Sequence, residues 1–122
     1  MIVTKEFLNN NPEVIFVFGD NTLRIGKGGA AVLRDEPNVY GFITKKFPDN
    51  KDSSFYKDDE YKQIYQEEIK KLKQVLKNHP FQTFLISKIG AGLANKYNIF
   101  EKIIFPNIKK DLEEFENIKF LF

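Results

Sequence analysis

Residues 14–21 read VIFVFGDN, an unbroken apolar run that ends in glycine, aspartate and asparagine. Asn11 and Pro12 precede it, so turn-forming residues bound the run on both sides. A short, continuously apolar segment predicts a strand buried on both faces, and such strands belong to sheets covered by helices. We therefore predict a buried strand over residues 14–18.

Further strands are predicted by the apolar runs that follow. VYGFI and TFLISKI are bounded by polar or turn-forming residues, IKFLF closes the chain, and a weak strand pattern opens it. These strands are predicted at residues 39–43, 83–89, 118–122 and 2–4. Between the second and third strands, residues 44–57 form a long polar loop of the kind that carries function.

Helical patterns separate the predicted strands. Tyr61, Tyr65, Ile69, Leu72 and Leu76 form one apolar stripe, which predicts a helix over residues 58–78. This helix is expected to be capped by Asp58 or Asp59 and to stop at His79-Pro80. Shorter helices are predicted at residues 28–34 and 99–115, the latter with Pro106 in the first turn of a second segment. Alternating strands and helices predict one α/β domain, residues 1–122, with a mixed or mostly parallel sheet flanked by helices.

Composition narrows the classes of function. The chain has 122 residues, 42% of them apolar, which suits a single domain with a real core. It lacks cysteine and any apolar run of bilayer length, so we expect a cytoplasmic protein without a membrane partner. Its net charge of +2 is too small for a nucleic-acid footprint. No pattern predicts a metal site or a cofactor.

Glycines are concentrated after two of the predicted strands. Gly26, Gly28 and Gly29 follow the first strand, and Gly90 and Gly92 follow the third. Ligands of open α/β sheets bind beyond the carboxyl ends of the strands, where glycine lets the backbone approach a phosphate. Tight turns would also require glycine. Two such loops together nevertheless favour one phosphate-bearing ligand held from two sides.

A dinucleotide-binding site of the Rossmann type is one alternative. Gly26-x-Gly28-x-x-Ala31 fits the relaxed fingerprint. The next strand, however, ends in Thr44-Lys45-Lys46 instead of the acidic residue that would bind a ribose hydroxyl, and the turn before the fingerprint is too long. A Walker loop is absent because no Gly-Lys-Ser/Thr occurs.

The order of several short motifs resembles the macrodomain superfamily. RIGKGGAAVL is followed by FITKK, YQEEIKKLKQVL, ISKIGAGLANKYNIFEKI and IKFLF. They are most similar to a subgroup whose members bind ADP-ribose and in some cases remove it from glutamate side chains. The chain also resembles small bacterial and phage proteins that carry FVFGDN, GKGG, EPN and TKK in this order. The resemblance implies a three-layer macrodomain-like fold that binds ADP-ribose or a related nucleotide, with an ADP-ribosylated protein as a further partner.

The resemblance also implies roles for individual residues. It places Gly26, Gly28, Gly29 and Ala30 around the distal ribose, and Gly90, Ala91, Gly92 and Leu93 around the diphosphate. It matches Lys45, which follows Thr44, to the lysine that attacks the anomeric carbon in the glutamate-deacylating members. Glu6 is matched to an acidic residue that binds the adenine amine. From the sequence itself, Asp20, Asn21 and Thr44 are further candidates for ligand contact at strand ends.

One position departs from the pattern of the catalytic members. Their Gly-Leu-Asp is replaced by Gly92-Leu93-Ala94, so the carboxylate that acts with the lysine is missing. Asp35 and Glu36 are candidates to replace it. Adjacent residues of a strand point to opposite faces, so Lys45 and Lys46 cannot both face a pocket. His79 is expected at the surface, and an adaptor that binds another protein without catalysis remains the second alternative.

Overall fold

A computed structural model describes residues 2–122. Its centre is a four-stranded sheet in which every neighbouring pair of strands is parallel. The strands are β1 (Val14–Asn21), β2 (Val39–Lys45), β3 (Thr83–Ile86) and β4 (Ile118–Phe120), and they lie in the order β2-β1-β3-β4. The predicted α/β fold with a largely parallel sheet is confirmed.

Helices cover both faces of this sheet and make a three-layer fold. The alternating side chains of β1 divide the core, because Phe16 and Phe18 pack on one face and Val17 on the other. Helix α1 (Lys5–Asn10) and a 3₁₀ helix (Gly29–Leu33) cover the first face. The second face is covered by three segments: α2 (Asp58–Asn78), a π-helical turn (Phe100–Ile104) and α3 (Phe105–Asp111).

Helix α2 confirms the apolar stripe, since Tyr61, Tyr65, Ile69, Leu72 and Leu76 are all buried. Its start differs from the prediction. The N-cap is Lys57, whose backbone N–H donates to Glu60 Oε1, and Asp58 and Asp59 lie inside the first turn. Acidic side chains are favourable there because they face the positive end of the helix dipole.

Two of the predicted strands differ from those in the structure. The weak strand at residues 2–4 is wrong: Thr4 caps α1, and its Oγ1 accepts a hydrogen bond from the Phe7 N–H. Strand β3 ends earlier than predicted, at Ile86. The N–H of Ser87 makes the last hydrogen bond of β3 to the Val17 carbonyl of β1, and the Ser87 Oγ donates to the same carbonyl.

Gly41 lies inside strand β2. A side chain there would collide with the carboxylate of Asp20 and with Arg24 Nη1. Arg24 Nη1 also donates to the Gly41 carbonyl, at 2.7 Å. Glycine at this position therefore lets polar groups from the end of β1 lie across β2.

Side chains of helix α2 also form hydrogen bonds with backbone groups at the outer edge of β2. The Ile43 N–H donates to Glu68 Oε1 at 2.6 Å, and the Tyr61 hydroxyl donates to the Ile43 carbonyl at 2.5 Å. Glu68 and Tyr61 are both buried. None of the helices between residues 2 and 122 combines the length and apolar character that crossing a bilayer requires.

Candidate functional site

A cavity of about 420 Å³ opens at the carboxyl ends of β1, β2 and β3. Parallel strands bring their carboxyl ends to the same edge of a sheet, which is why residues distant in sequence meet here. Of the candidates at the strand ends and in the two glycine-rich loops, all but one line this cavity. They are Asp20, Asn21, Gly26, Gly28, Gly29, Ala30, Thr44, Lys45, Gly90, Gly92 and Leu93. The exception is Ala91, which is half-buried outside the lining.

The two glycine-rich loops touch across the mouth of the cavity. A Cβ atom at Gly28 would lie 2.9 Å from Leu93 Cδ1, so glycine allows the side chain of the second loop to rest on the first. On the other side of the mouth, a Cβ atom at Gly26 would lie 3.5 Å from Pro48 Cβ. The cavity is consequently bounded by three chain segments that meet through small or apolar groups.

Gly90 begins the second loop in a conformation that other residues rarely adopt. Its φ is +80°, and a Cβ atom there would lie 2.5 Å from Ile104 Cδ1 in the π-helical turn. The loop is also tied to the following helical segment, because Asn95 Oδ1 accepts a hydrogen bond from the Phe100 N–H at 3.1 Å. The positive φ and the packing against Ile104 thus both require glycine at position 90, at the base of the cavity.

Asp20 is bound by two arginines. Arg34 makes a bidentate contact with its carboxylate, and Arg24 Nη1 adds a longer one at 3.2 Å. The Asp20 side chain is only 1% exposed, whereas that of Arg24 is 48% exposed. Arg34 also donates from Nε to the Gly26 carbonyl at 2.9 Å. Asp20 therefore anchors the first glycine loop through Arg34, and its oxygens are already engaged.

Lys45 lies at the end of β2, buried and facing the cavity. Its Nζ lies 4.6 Å from the centroid of the Phe55 ring. Burial lowers the pKa of Lys45, and the negative charge of Asp49 partly opposes this effect. Within residues 2–122, no carboxylate forms an ion pair with Lys45.

Lys46 points away from the cavity, as the alternation of a strand requires. Its Nζ pairs with Glu60 Oε2 at 2.8 Å and lies 5.3 Å from the centroid of the Tyr56 ring. Only one lysine of the Thr44-Lys45-Lys46 sequence is therefore available to a ligand in the cavity.

The acidic residues predicted from the sequence do not replace the carboxylate that is missing at Ala94. Ala94 is buried in the cavity wall, but Asp35 and Glu36 do not line the cavity. Asp35 is exposed and pairs with Lys27 at 2.6 Å. Glu6 is exposed on α1 and is likewise absent from the lining, and His79 is exposed as expected.

Sequence reasoning missed three polar residues of the lining: Arg34, Ser87 and Lys88. Ser87 and Lys88 follow β3 directly, but the strand predicted over residues 83–89 included them, which hid their position at its carboxyl end. Arg34 carried no signal, because it was read as the end of a short helix. Lys88 lies with its Nζ 5.2 Å from the centroid of the Phe100 ring.

Comparison with known proteins gives one match. A family of unknown function, DUF7831, matches residues 1–98. The chain belongs to this family. The matched residues include both glycine-rich loops, Lys45 and Ala94, so every segment that lines the cavity lies within the family's extent. No curated protein and no solved structure matches the chain.

Proposed function

We propose that this protein binds ADP-ribose or a closely related nucleotide in the cavity between its two glycine-rich loops. The proposal depends on one observation, the convergence of both loops on a single cavity at the carboxyl ends of three parallel strands. This edge is where open parallel sheets bind ligands. Cavities of about 300–1,000 Å³ are the usual size for small-molecule sites.

Backbone amides of the loops support a phosphate-bearing ligand. Within residues 2–122, the N–H groups of Gly28, Gly90 and Gly92 donate no hydrogen bond to another backbone carbonyl. Gly90 is a buried residue, and buried backbone amides are nearly always paired. A phosphate oxygen between the loops would accept hydrogen bonds from such amides, which is how glycine-rich loops bind phosphate elsewhere.

The charge of the cavity supports the same class of ligand. Asp20 is the carboxylate in its lining, and Arg34 neutralises it. Among residues 2–122, no further acid of the cavity wall balances its two lysines, Lys45 and Lys88. A diphosphate would supply the negative charge that these groups attract.

Hydrolysis of ADP-ribosyl esters is the second part of the proposal. Only a neutral amine is a nucleophile, and a depressed pKa increases the fraction of Lys45 in that form. The resemblance to glutamate-deacylating macrodomains motivates an attack of Lys45 on the anomeric carbon of the distal ribose. Ala94 argues for slow turnover, since the carboxylate of the catalytic members is absent there.

Calorimetry and thermal denaturation with ADP-ribose, NAD, NADP and ATP test the binding proposal. A ligand present at 100 times its Kd adds about 2.7 kcal/mol of stability, which a shift in Tm reveals. Preference for NAD or NADP would favour the Rossmann-type alternative. No binding of any of the four at millimolar concentration would refute the proposal and favour a protein-binding adaptor.

A second experiment tests hydrolysis. The release of ADP-ribose from a glutamate-modified protein is measured for the wild type, for Lys45→Ala and for the matched control Lys46→Ala. Loss of release in the first variant alone, with a borohydride-trapped adduct at Lys45 in the wild type, is the expected result. Equal release by the wild type and Lys45→Ala would exclude a lysine nucleophile.

A further inference from the structure

A second cavity, of about 380 Å³, lies at the amino ends of the strands. We call it the amino-edge cavity, because the ligand cavity opens at the opposite edge of the parallel sheet. Its apolar lining consists of Leu8, Pro12, Ile15, Pro37 and Val39. An apolar cavity of about 150 Å³ already accommodates a benzene molecule. The amino-edge cavity is therefore large enough for an aromatic side chain.

Asn38 holds the walls of this cavity together. The residue is buried, and its Nδ2 donates to the carbonyls of Leu8 at 3.0 Å, Asn11 at 3.2 Å and Val14 at 3.0 Å. These hydrogen bonds join the start of β2 to the end of α1 and to the start of β1. The cavity is thus already formed within a single copy of the chain, so an occupant enters it at little cost in reorganisation.

Phe81 is an exposed aromatic side chain beside the same cavity. It is 95% exposed, the largest fraction among the large apolar side chains of residues 2–122. Its turn is fixed, because the His79 carbonyl accepts hydrogen bonds from the Gln82 N–H at 3.2 Å and from Asn117 Nδ2 at 3.1 Å. Pro80 restricts the backbone of the turn further. His79 and Gln82 themselves line the cavity, so the turn presents the Phe81 ring next to the cavity without filling it.

The surface around Phe81 and the cavity can be covered by a partner at little polar cost. Three of the five prolines of the chain, Pro12, Pro37 and Pro80, are exposed there. Proline has no backbone N–H, so covering it leaves no donor unpaired. An exposed apolar surface that surrounds a cavity is typical of a protein interaction site.

The position of the ring beside the cavity indicates which partner fits. In a dimer with two-fold symmetry both copies use the same surface, so each group on that surface must meet its complement from the other copy. An exposed ring and an unfilled apolar cavity on one surface are such complements.

Charges at this edge of the sheet are complementary in the same way. Glu13 lies beside the Phe81 turn, because its carbonyl accepts a hydrogen bond from the Thr83 N–H, and Lys77 precedes the turn at the end of α2. Both side chains are exposed, and neither forms an ion pair within residues 2–122. Opposite charges on one surface attract each other between two copies of the chain.

We propose that this surface is a dimer interface between two copies of the chain, in which the Phe81 ring of each copy occupies the amino-edge cavity of the other. The interface lies at the opposite edge of the sheet from the ligand cavity, so both ligand cavities stay open in the dimer. The dimer does not depend on the identity of the ligand.

Analytical ultracentrifugation of the full chain, from micromolar to millimolar concentration, tests the proposal. The wild type should pass from monomer to dimer and no further, because a two-fold interface closes on itself. Phe81→Ser should raise the Kd of the dimer at least about thirtyfold, as expected for a central aromatic residue of an interface. The matched control is Phe47→Ser, which removes a ring that is 42% exposed after the carboxyl end of β2 and should dimerise like the wild type.

Asn9→Trp tests the cavity side of the interface. Asn9 is exposed on α1 and lines the amino-edge cavity, so a tryptophan there should block the cavity and leave the core intact. Neither Asn9→Trp nor Phe81→Ser should dimerise by itself. An equimolar mixture of the two should form a heterodimer, because the Phe81 ring of the first variant meets the open cavity of the second. Thermal denaturation checks that both variants are folded.

Three results would overturn the proposal. A wild type that stays monomeric at millimolar concentration would exclude the dimer and leave this surface to a different protein. Wild-type oligomers that grow beyond two copies would exclude the two-fold arrangement. A mixture of Asn9→Trp and Phe81→Ser that stays monomeric, or a Phe81→Ser variant that dimerises like the wild type, would exclude the contact between the ring and the cavity.

Discussion

The guanidinium group of Arg34 binds the carboxylate of Asp20 with both terminal nitrogens, Nη1 at 3.0 Å from Oδ2 and Nη2 at 2.6 Å from Oδ1. This buried pair joins the end of β1 to the chain that follows the first glycine loop. It was invisible in the sequence because the two residues belong to different segments. Its first consequence concerns stability.

Asp20→Ala should lower the free energy of unfolding by about 3 kcal/mol, because it leaves the mostly buried guanidinium of Arg34 without its partner. Urea denaturation measures the loss. The control is Asp35→Ala, which removes an exposed, solvent-screened ion pair with Lys27 and should cost much less stability. Equal losses in both variants would contradict the anchoring role of Asp20.

Gly92→Val should separate binding from folding. In the described part of the chain, no atom outside the neighbouring residues lies within 4 Å of a Cβ atom at Gly92, so the free energy of unfolding should change by less than about 0.5 kcal/mol. If the second loop binds a diphosphate, the added side chain should weaken ADP-ribose binding at least about tenfold, a cost of roughly 1.4 kcal/mol. Calorimetry on the folded variant decides between the two effects.

Substitution of Gly28 should affect stability differently, because the Leu93 side chain already occupies the space that a new side chain would need. A Cβ atom there meets Leu93 Cδ1 at 2.9 Å, so Gly28→Ala must displace the Leu93 side chain. Combining Gly28→Ala with Leu93→Ala should restore the unfolding free energy lost in the single Gly28→Ala variant, which a double-mutant cycle reveals. Strictly additive effects would mean that the two loops do not press on each other.

Lys45→Met should stabilise the protein at pH 7. The pKa of Lys45 is lowered in the folded state, so between the folded and unfolded pKa values the unfolded chain binds more protons, and wild-type stability rises with pH. The advantage of Lys45→Met should therefore shrink as the pH rises toward about 10.4, the unfolded value. Denaturation at several pH values measures this trend, and Lys46→Met should not reproduce it.

Ala94→Asp should accelerate hydrolysis if the cavity has the geometry of the catalytic macrodomains. A positioned acid-base group contributes about 10² to 10⁴ in rate, so partial alignment is detectable in single-turnover release of ADP-ribose. Ala94→Asn is the control of matched size without the charge. If Ala94→Asp binds ADP-ribose yet releases no more of it than Ala94→Asn, a binding protein is favoured over a hydrolase.

The buried strands and the long helix were predictable because their patterns are local. VIFVF is a continuous apolar run, and the stripe from Tyr61 to Leu76 has helical periodicity. Both glycine loops follow strands whose ends the sheet brings together. Helix and strand ends were less predictable, because single hydrogen bonds decide them. The hydrogen bond from the Phe7 N–H to Thr4 Oγ1, which caps α1 where a strand was predicted, is an example.

The cavity itself was only partly predictable. Glycines indicate loops, whereas Arg34 reaches the cavity through a contact with Asp20 that depends on the folded chain. The half-buried position of Ala91 between lining residues was equally hidden, because alternation in an irregular loop follows no period. Contacts between segments, more than residue types, determine which side chains reach the cavity.

The hydrogen bonds of Ile43 with Glu68 and Tyr61 affect how this chain associates with other protein molecules. Exposed strand edges recruit strands from neighbouring molecules, and that is a common route to aggregation. The backbone N–H and carbonyl of Ile43 could pair with a strand of another molecule, but side chains of α2 already form hydrogen bonds with both. Ile43 lies beside the strand end that carries Lys45. Glu68→Ala, which frees the Ile43 N–H, is therefore a natural place to look for strand-to-strand association that the wild-type chain resists.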